Sequence, residues 1–310
     1  MSCGGCSAVR DRMTVRKMHA DEVDVDDDLV RALIAAQFPQ WAHLRLQRMR
    51  STGTDNAIFR LGRDLGVRVP RIHWAVTQIG KEYEWLPRLA PHLPAAVPEP
   101  LAKGEPGNDY PYPWLVYRWL GGEDALAGAV DDWCGLAQEI AAFVTALQRV
   151  DPTDGPPAGS RGGLLAPRDE STRRAITQLD GVIDVDRAMT VWDAALAADP
   201  WSGPPVWVHG DLLPGNILVA DGRLAGVIDW SASGSGDPAC DAMLAWSLPP
   251  DARAVYRAAL EIDDAMWARA RGWSLEQAAA FIPYYVDTIP DGVAAARRRL
   301  DTVLTDDPAA

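Results

Sequence analysis

Apolar residues recur with helical spacing over long stretches of the chain, and they alternate with polar residues over shorter ones. The helical spacing predicts helices over residues 29–38, 76–90, 131–150, 170–179, 185–198, 252–261 and 291–304. Asp28 is a candidate cap for the first helix, and Pro87 is expected to kink or end the second. The alternation over 44–71, with small polar residues at 51–56 and a turn at 62–64, predicts three strands. The chain therefore starts with an antiparallel sheet and continues mainly as helices.

Two adjacent glycines, Gly121 and Gly122, end an apolar run and mark the predicted domain boundary. The predicted units are an N-terminal lobe over 1–120, which begins with a disordered tail over 1–12, and a C-terminal lobe over 121–310. The Pro- and Gly-rich stretch that follows the third predicted helix is interpreted as a surface loop.

The composition is that of a folded protein with sizeable cores, since 48% of the 310 residues are hydrophobic and 24% are charged. The formal net charge of −13 argues against a nucleic-acid partner, because phosphates would be repelled, and suits a cationic small molecule better. Without a membrane-length apolar run or the apolar segment of a signal peptide, we expect a cytoplasmic protein with no membrane partner. Cys3 and Cys6 have no second pair at zinc spacing, so no zinc site is predicted.

The candidate chemistry lies within residues 206–230, which contain the spacing H-G-D-x-x-x-x-N from His209 to Asn216. This spacing matches the catalytic loop of phosphoryl-transfer enzymes of the protein-kinase type. In that loop an Asp, here Asp211, takes the proton of the acceptor hydroxyl, and the Asn binds a metal ion. Asp229 ends the next apolar run and is the candidate second metal ligand.

The residues between Asn216 and Asp229 predict a β-hairpin whose turn is Asp221-Gly222. Such a hairpin brings the two side chains to neighbouring strand ends, where their oxygens could hold Mg²⁺ on nucleotide phosphates. The competing interpretation is an ordinary turn with a hydrogen-bonded histidine. It would have to explain the loop spacing, the hairpin and the position of Asp229 together.

A second candidate site is the small-residue turn Ser51-Thr52-Gly53-Thr54, whose backbone N–H groups could hold phosphates. By itself this cluster is more typical of an ordinary hairpin turn than of a phosphate site.

The segments V-H-G-D-L-L-P-G-N-I-L-V, G-V-I-D-W-S and G-D-P-A-C-D resemble the aminoglycoside phosphotransferase family, which are small-molecule kinases with a protein-kinase-like fold. The resemblance is specific over residues 206–246 and looser over 44–122. It implies an α+β, bilobal, protein-kinase-like fold with an N-terminal antiparallel sheet lobe and a larger, mainly helical C-terminal lobe. It also implies Mg²⁺-dependent transfer of the γ-phosphate of ATP or GTP to a hydroxyl of a small molecule, and a role in antibiotic resistance.

The resemblance also implies roles for individual residues. Asp211 would be the base or orienting group for the acceptor hydroxyl, and His209, which shapes the catalytic loop, is grouped with it. Asn216 and Asp229 would be the Mg²⁺ ligands. The implied nucleotide-binding residues are Ser51, Thr52, Gly53, Thr54, Asn56, Arg68, Glu82 and, at the hinge between the lobes, Tyr117, Arg118 and Trp119.

One position departs from the family pattern. The strand that usually offers a lysine to the α- and β-phosphates reads G-V-R-V-P-R, so Arg68 takes that place with Glu82 as its expected partner. A surface salt bridge is the alternative for this pair. Asp237 and Asp241 match a G-D-P-x-x-D signature that is expected to hold the catalytic loop by hydrogen bonds.

The acceptor is expected to be an aminoglycoside-like or other sugar-containing compound. Its candidate contacts are carboxylates and aromatic residues of the C-terminal helices: Asp263, Asp264, Asp287, Asp291, Trp267, Trp273, Tyr284 and Tyr285. The same residues are also typical of exposed helix charges and core aromatics. Two other functions stay open: a catalytically weak, pseudokinase-like module that binds nucleotide or a small molecule, and a kinase of protein hydroxyls. The second is disfavoured because no A-P-E segment follows Asp229.

Overall fold

The computed structural model describes residues 22–49, 55–128, 130–159 and 161–306. The strands within these ranges are β1 (Leu46–Arg48), β2 (Asn56–Leu61), β3 (Leu65–Pro70), β4 (Pro100–Gly104), β5 (Trp114–Arg118), β6 (Glu123–Asp124), β7 (Val206–Val208), β8 (Ile217–Ala220), β9 (Arg223–Val227) and β10 (Gly234–Gly236). The helices are α1 (Asp27–Gln37), α2 (Val76–Leu89), α3 (Trp133–Gln148), α4 (Asp169–Thr177), α5 (Val185–Ala197), α6 (Ala239–Ala242), α7 (Pro250–Ala259), α8 (Asp264–Tyr285) and α9 (Pro290–Thr305).

The N-terminal lobe is a five-stranded antiparallel sheet in the order β1-β2-β3-β5-β4, which confirms the predicted sheet lobe. Alternate side chains of the strands, such as Phe59 and Val67, form a separate small core with α1. Asp26, and not the predicted Asp28, caps α1, because its Oδ1 accepts from the Leu29 N–H at 2.9 Å.

Helix α2 crosses from the sheet to the larger lobe. It continues through Pro87 to Leu89, so the proline lies two residues before the helix end and does not stop it at once. Leu86 and Leu89 belong to the core of the larger lobe, whereas Glu82 is buried toward β3. The helix therefore places one carboxylate against the sheet while its last turn is fixed to the other lobe.

The C-terminal lobe is mainly helical and is built around α8. This helix has 22 residues, and buried positions occupy all its sides over much of its length. Because it has no single apolar stripe, its extent was not predicted from the spacing of apolar residues. Large buried aromatics, including Trp192 and Trp273, fill the core around it.

Sheet membership changes between the two lobes. β5 lies in the five-stranded sheet, whereas β6 pairs with β8 in the three-stranded sheet β6-β8-β9, so the predicted boundary after residue 120 falls between the two sheets. In the part of the chain that the structure describes, no helix combines the length and the apolar character that crossing a membrane requires.

Candidate active site

The loop that contains His209, Gly210 and Asp211 follows β7 and is held by hydrogen bonds to Asp241 of α6. Asp241 of α6 is fully buried, and its two carboxylate oxygens accept from the backbone N–H groups of His209 and Gly210, each at 2.8 Å. Gly210 has φ 79°, and a Cβ there would lie 2.7 Å from the Ala232 carbonyl oxygen, so glycine is required. The signature aspartate Asp241 therefore fixes the loop that carries Asp211.

His209 is also fully buried, with both ring nitrogens bonded to backbone groups. Its Nδ1 accepts from the Asp211 N–H at 3.3 Å, which assigns the proton to Nε2, 3.0 Å from the Ile228 carbonyl oxygen. The ring thus ties the loop that carries Asp211 to Ile228, the residue before Asp229, which supports a loop-shaping part for His209. Its role is to position Asp211.

The hairpin β8–β9 brings the two candidate metal ligands together. Asp221 and Gly222, with φ 51° and 73°, form the predicted two-residue turn. The Ile228 N–H donates to the Asn216 carbonyl oxygen at 2.9 Å, which joins the hairpin ends next to Asp229. The Asn216 amide Nδ2 donates to the Asp211 carbonyl oxygen at 2.8 Å. Its amide oxygen is thereby left for another partner.

Asp229 has a left-handed backbone, φ 59° and ψ 71°, a conformation that is uncommon for a non-glycine residue. Its side chain is 40% exposed, but its Oδ1 is covered and accepts no hydrogen bond. Burial acts to raise the pKa of Asp229, but the Arg68 charge and hydrogen bonds from Ser231 hold that pKa below its ordinary value. An ionised carboxylate with an unused oxygen, beside a free amide oxygen, fits a hard cation such as Mg²⁺.

The described residues contain no cluster of three or more His, Cys, Asp or Glu suited to a metal ion. That is compatible with Mg²⁺, which commonly uses one or two protein oxygens and takes its remaining ligands from substrate phosphates and water.

Arg68 and Glu82 form a buried ion pair between β3 and α2. The Arg68 Nη1 donates to both Glu82 carboxylate oxygens, at 2.6 and 2.7 Å, so the alternative of a surface salt bridge is wrong. Arg68 Nη2 reaches the Gln78 amide oxygen at 3.2 Å and lies 3.7 Å from Asp229 Oδ1. Burial acts to lower the pKa of Arg68, but the carboxylates of Glu82 and Asp229 outweigh this effect and raise the pKa above its ordinary value. The guanidinium therefore stays charged beside Asp229.

Lys81 adds a contact that sequence reasoning missed. Its Nζ donates to the carbonyl oxygens of Ser231 and Ser233, at 2.6 and 2.7 Å, and so joins α2 to the segment after Asp229. Burial lowers the pKa of Lys81 to about 8. The neighbouring Glu82 was predicted as the partner of Arg68. Lys81 donates to backbone carbonyl oxygens that are distant in sequence, and such a contact leaves no local sequence signal.

The predicted nucleotide-binding residues are only partly described. Ser51, Thr52, Gly53 and Thr54 lie outside the described residues, whereas Asn56 begins β2, where its side-chain oxygen is buried without a hydrogen-bond partner.

The three predicted hinge residues lie at the end of β5. The Tyr117 ring covers Gly66, where a Cβ would meet it at 2.5 Å, and Arg118 pairs with Glu99 at the surface. The backbone N–H groups of Arg118 and Trp119 already donate to the carbonyl oxygens of Glu99 and Asp64, both at 2.8 Å. Those two N–H groups are therefore not free to hold a purine base.

On the other side of Asp211 lies an arginine that was not predicted. Arg161 Nη2 donates to Asp211 Oδ1 at 2.8 Å. It belongs to the Pro- and Gly-rich stretch that was interpreted as a surface loop. Gly162, with φ 96°, packs this stretch against Val208 of β7 and Cys240 of α6. This loop therefore borders Asp211, and the sequence pattern alone could not show that contact.

The predicted acceptor contacts are dispersed. Asp263 caps α8 through the Met266 N–H, and Asp264 pairs with Arg257 at the surface. Trp273 is a core residue, and Tyr284 is half exposed at the end of α8. These residues do not converge on Asp211, unlike Arg161.

A two-lobed α+β fold in which Asp211, Asn216 and Asp229 converge at the lobe junction is that of a kinase-type phosphotransferase. The sequence model of the phosphotransferase enzyme family (APH) matches residues 45–273, and the chain belongs to this family. The family resemblance and the fold class inferred from the sequence are thereby confirmed.

Solved structures agree with the fold. The chain is similar to the GDP complex of an aminoglycoside 2'-phosphotransferase of type IIIa, with 19% identity, a TM-score of 0.70, and coverage of 90% of this chain and 97% of that one. It is also similar to the macrolide 2'-phosphotransferase MphH from Brachybacterium faecium, with 25% identity, a TM-score of 0.58, and coverage of 90% and 98%.

Among curated proteins, YcbJ of Bacillus subtilis (strain 168) is 28% identical over 162 residues, which are 49% of each chain. The match therefore spans about half the length of that relative.

Proposed function

We propose that this chain transfers the γ-phosphoryl group of ATP or GTP to a hydroxyl of a small molecule. The observation that carries the proposal is the convergence of Asp211, Asn216 and Asp229 at the ends of one loop and one hairpin, with the charged Arg68 beside Asp229. Membership of the phosphotransferase family and similarity to structures with bound GDP, ADP or ATP support a purine nucleotide as donor. The similar structures named as aminoglycoside and macrolide phosphotransferases support a small-molecule acceptor.

In this proposal Asp211 orients the acceptor hydroxyl and takes its proton. The hydroxyl oxygen bonds to the γ-phosphorus while the bond to the bridging oxygen breaks, and the nucleoside diphosphate leaves. Arg161 Nη2 donates to Asp211 Oδ1 at 2.8 Å, and Oδ2 has a longer contact of 3.4 Å with the Asn216 amide Nδ2. In this proposal Oδ2 takes the proton of the acceptor hydroxyl. His209 and Asp241 keep the loop in place during the transfer.

Asn216 and Asp229 would hold Mg²⁺, which would supply positive charge to offset the negative charge of the nucleotide phosphates during transfer. Arg68, kept charged by Glu82, would contribute positive charge to the same phosphates. The purine base of the nucleotide would contact the backbone after Trp119, because the N–H groups of Arg118 and Trp119 already donate to other carbonyl oxygens.

The test is acceptor-dependent release of nucleoside diphosphate together with the mass increase of one phosphoryl group on the acceptor. Acceptors should include an aminoglycoside, a macrolide and hydroxy acids. Asp211→Asn is expected to lower kcat by about 10²–10⁴-fold with little change in nucleotide affinity. Asp221→Asn, in the exposed hairpin turn, is the matched control and should keep full activity. Full transfer by Asp211→Asn would contradict the mechanism, and nucleotide binding without transfer to any acceptor would favour the pseudokinase-like alternative.

A further inference from the structure

Three arginines lie on elements that pack around α8, and they are called here the arginine cluster: Arg161, Arg168 and Arg299. Arg161 and Arg168 belong to one loop, which runs from Asp211 along α8, and Arg299 belongs to α9. Leu165 of the loop packs at Gly272, one turn of α8 before Glu276, and this contact holds the loop on the helix. The cluster is thus built by packed elements and not by flexible surface side chains.

Two members of the cluster have carboxylate partners. Arg161 pairs with Asp211, and Arg168 donates to Glu276 of α8, with the Arg168 Nε 3.1 Å from the Glu276 carboxylate. Glu276 is buried, so this pair also fixes the loop to α8. Both nearby carboxylates are thereby used.

Arg299 has no carboxylate partner among the residues that the structure describes. Its side chain donates to the Gln277 amide oxygen, its Nε is buried without a partner, and the residue is 6% exposed. Burial lowers the pKa of Arg299 to about 10, and the repulsion of Arg161 opposes the attraction of Asp211 and Glu276. A buried cation without a direct ion-pair partner is costly, and natural proteins seldom keep one without a use.

The electrostatic neighbours of Arg299 place it away from the phosphate side. They are Asp211, Arg161 and Glu276, whereas those of Arg68 are Glu82, Asp229 and Tyr117. An anion that meets Arg299 would therefore belong to the acceptor, not to the nucleotide.

We propose that Arg299, together with Arg161, binds an oxyanion group of the acceptor, so that the substrate is a hydroxy compound carrying a carboxylate or a phosphate. This inference rests on the proposed function, because it assigns a substrate class to the same site. It replaces the expectation of a cationic acceptor. A polycation would be repelled by the arginine cluster and would find Asp211 and Glu276 already paired with arginines. A carboxylate or phosphate matches the planar guanidinium fork.

The experiment measures thermal unfolding of the full chain, with ADP and Mg²⁺ present, in increasing inorganic phosphate, acetate or ethanolamine at constant ionic strength. For the wild type we expect a saturable rise of roughly 2–5 °C with phosphate or acetate and none with ethanolamine. The stronger of the two anions distinguishes a phosphate from a carboxylate substrate. Arg299→Gln should abolish the rise, Arg299→Lys should weaken it, and Arg298→Gln, the exposed neighbour on α9, should keep it.

The same measurement without any added anion tests a purely structural role. Because Arg299→Gln removes an unpaired buried charge, its unfolding temperature should equal or exceed that of the wild type. The inference is overturned if Arg299→Gln unfolds several degrees lower in plain buffer, if it keeps the anion effect, or if only ethanolamine stabilises the wild type. Absence of any ADP shift would instead count against the proposed function. The difference between the wild type and Arg299→Gln in phosphate remains decisive in that case.

Discussion

Arg68 shows how a single side chain in a buried strand can organise the phosphate side of the site. Its guanidinium reaches Glu82 with two hydrogen bonds, Gln78 with one, and the neighbourhood of Asp229 at 3.7 Å. A lysine ammonium is a compact point charge and could not reproduce this planar, forked contact. The arginine therefore fixes α2 against β3 and presents charge to Asp229 at the same time.

Arg68→Met should destabilise the protein by about 3–5 kcal/mol, because Glu82 would remain buried without its counter-charge. The double variant Arg68→Met/Glu82→Leu should recover most of that loss, to within about 1 kcal/mol of the wild type. Urea unfolding measures both. Arg118→Met, which breaks the exposed pair with Glu99, is the control and should leave the urea midpoint nearly unchanged. An equal cost for Arg68→Met and the double variant would show that the buried charge is not the cause.

At the scale of elements, α2 is attached to the loop after Asp229 by Lys81. The ammonium meets two carbonyl oxygens and is half-buried, so the contact positions the loop more than it stabilises the fold. Lys81→Met keeps the apolar stem but removes both hydrogen bonds. We expect kcat to fall about tenfold, because a loosened Asp229 segment misplaces the metal ligand. Steady-state kinetics measures this, with the exposed Lys103→Met as control; an unchanged kcat would contradict it.

Lys81 also gives a pH prediction for stability. Its pKa is about 8 in the folded protein and about 10.4 in an unfolded chain. Between these values the unfolded chain binds the proton that the folded protein has released, so the Lys81 contribution to stability rises as the pH increases from about 8 to 10.4. Urea midpoints of the wild type and Lys81→Met at pH 7 and pH 9.5 isolate this group, because the other titrations are shared. The wild type should gain stability relative to the variant at pH 9.5, and a relative loss would refute the assigned pKa shift.

The elements also show what a sequence can reveal about this site. The hairpin around Asp221 and the spacing of Asp211 and Asn216 are local features, so the turn residues and a four-residue spacer were sufficient to predict them. Arg161 and Arg299 come from a loop and a helix that are distant in sequence and that both pack on α8. No hydrophobic periodicity and no motif marks α8. The arginines that its neighbouring elements carry could therefore not be predicted from the sequence.

For the whole molecule, the site is a junction between two lobes with separate cores. β3 and α2 supply Arg68, Glu82 and Lys81, while the larger lobe supplies Asp211 and Asp229. The contacts that cross the junction include the apolar last turn of α2, with Leu86 and Leu89 in the core of the larger lobe, and the polar contact of Lys81 with the loop after Asp229. Ligands that bind both lobes are therefore expected to raise the stability of the whole chain and not only of one lobe.

This expectation can be tested through the coupling of nucleotide and Mg²⁺. A ligand at 100 times its Kd stabilises the folded state by about 2.7 kcal/mol, so ATP with Mg²⁺ should raise the unfolding temperature by roughly 5 °C or more. Asp229→Asn removes a carboxylate charge from the metal position but leaves the nucleotide contacts of the smaller lobe, so it should lose the part of the shift that needs Mg²⁺ and keep the remainder. Asp221→Asn, at the far end of the same hairpin, should behave as the wild type. If Mg²⁺ adds the same shift to Asp229→Asn as to the wild type, the metal is held by the nucleotide alone, and the role assigned to the hairpin ends is wrong. If Mg²⁺ adds no shift to the variant, Asp229 is required to hold the metal. The metal then links the nucleotide on the smaller lobe to Asp229 of the larger lobe.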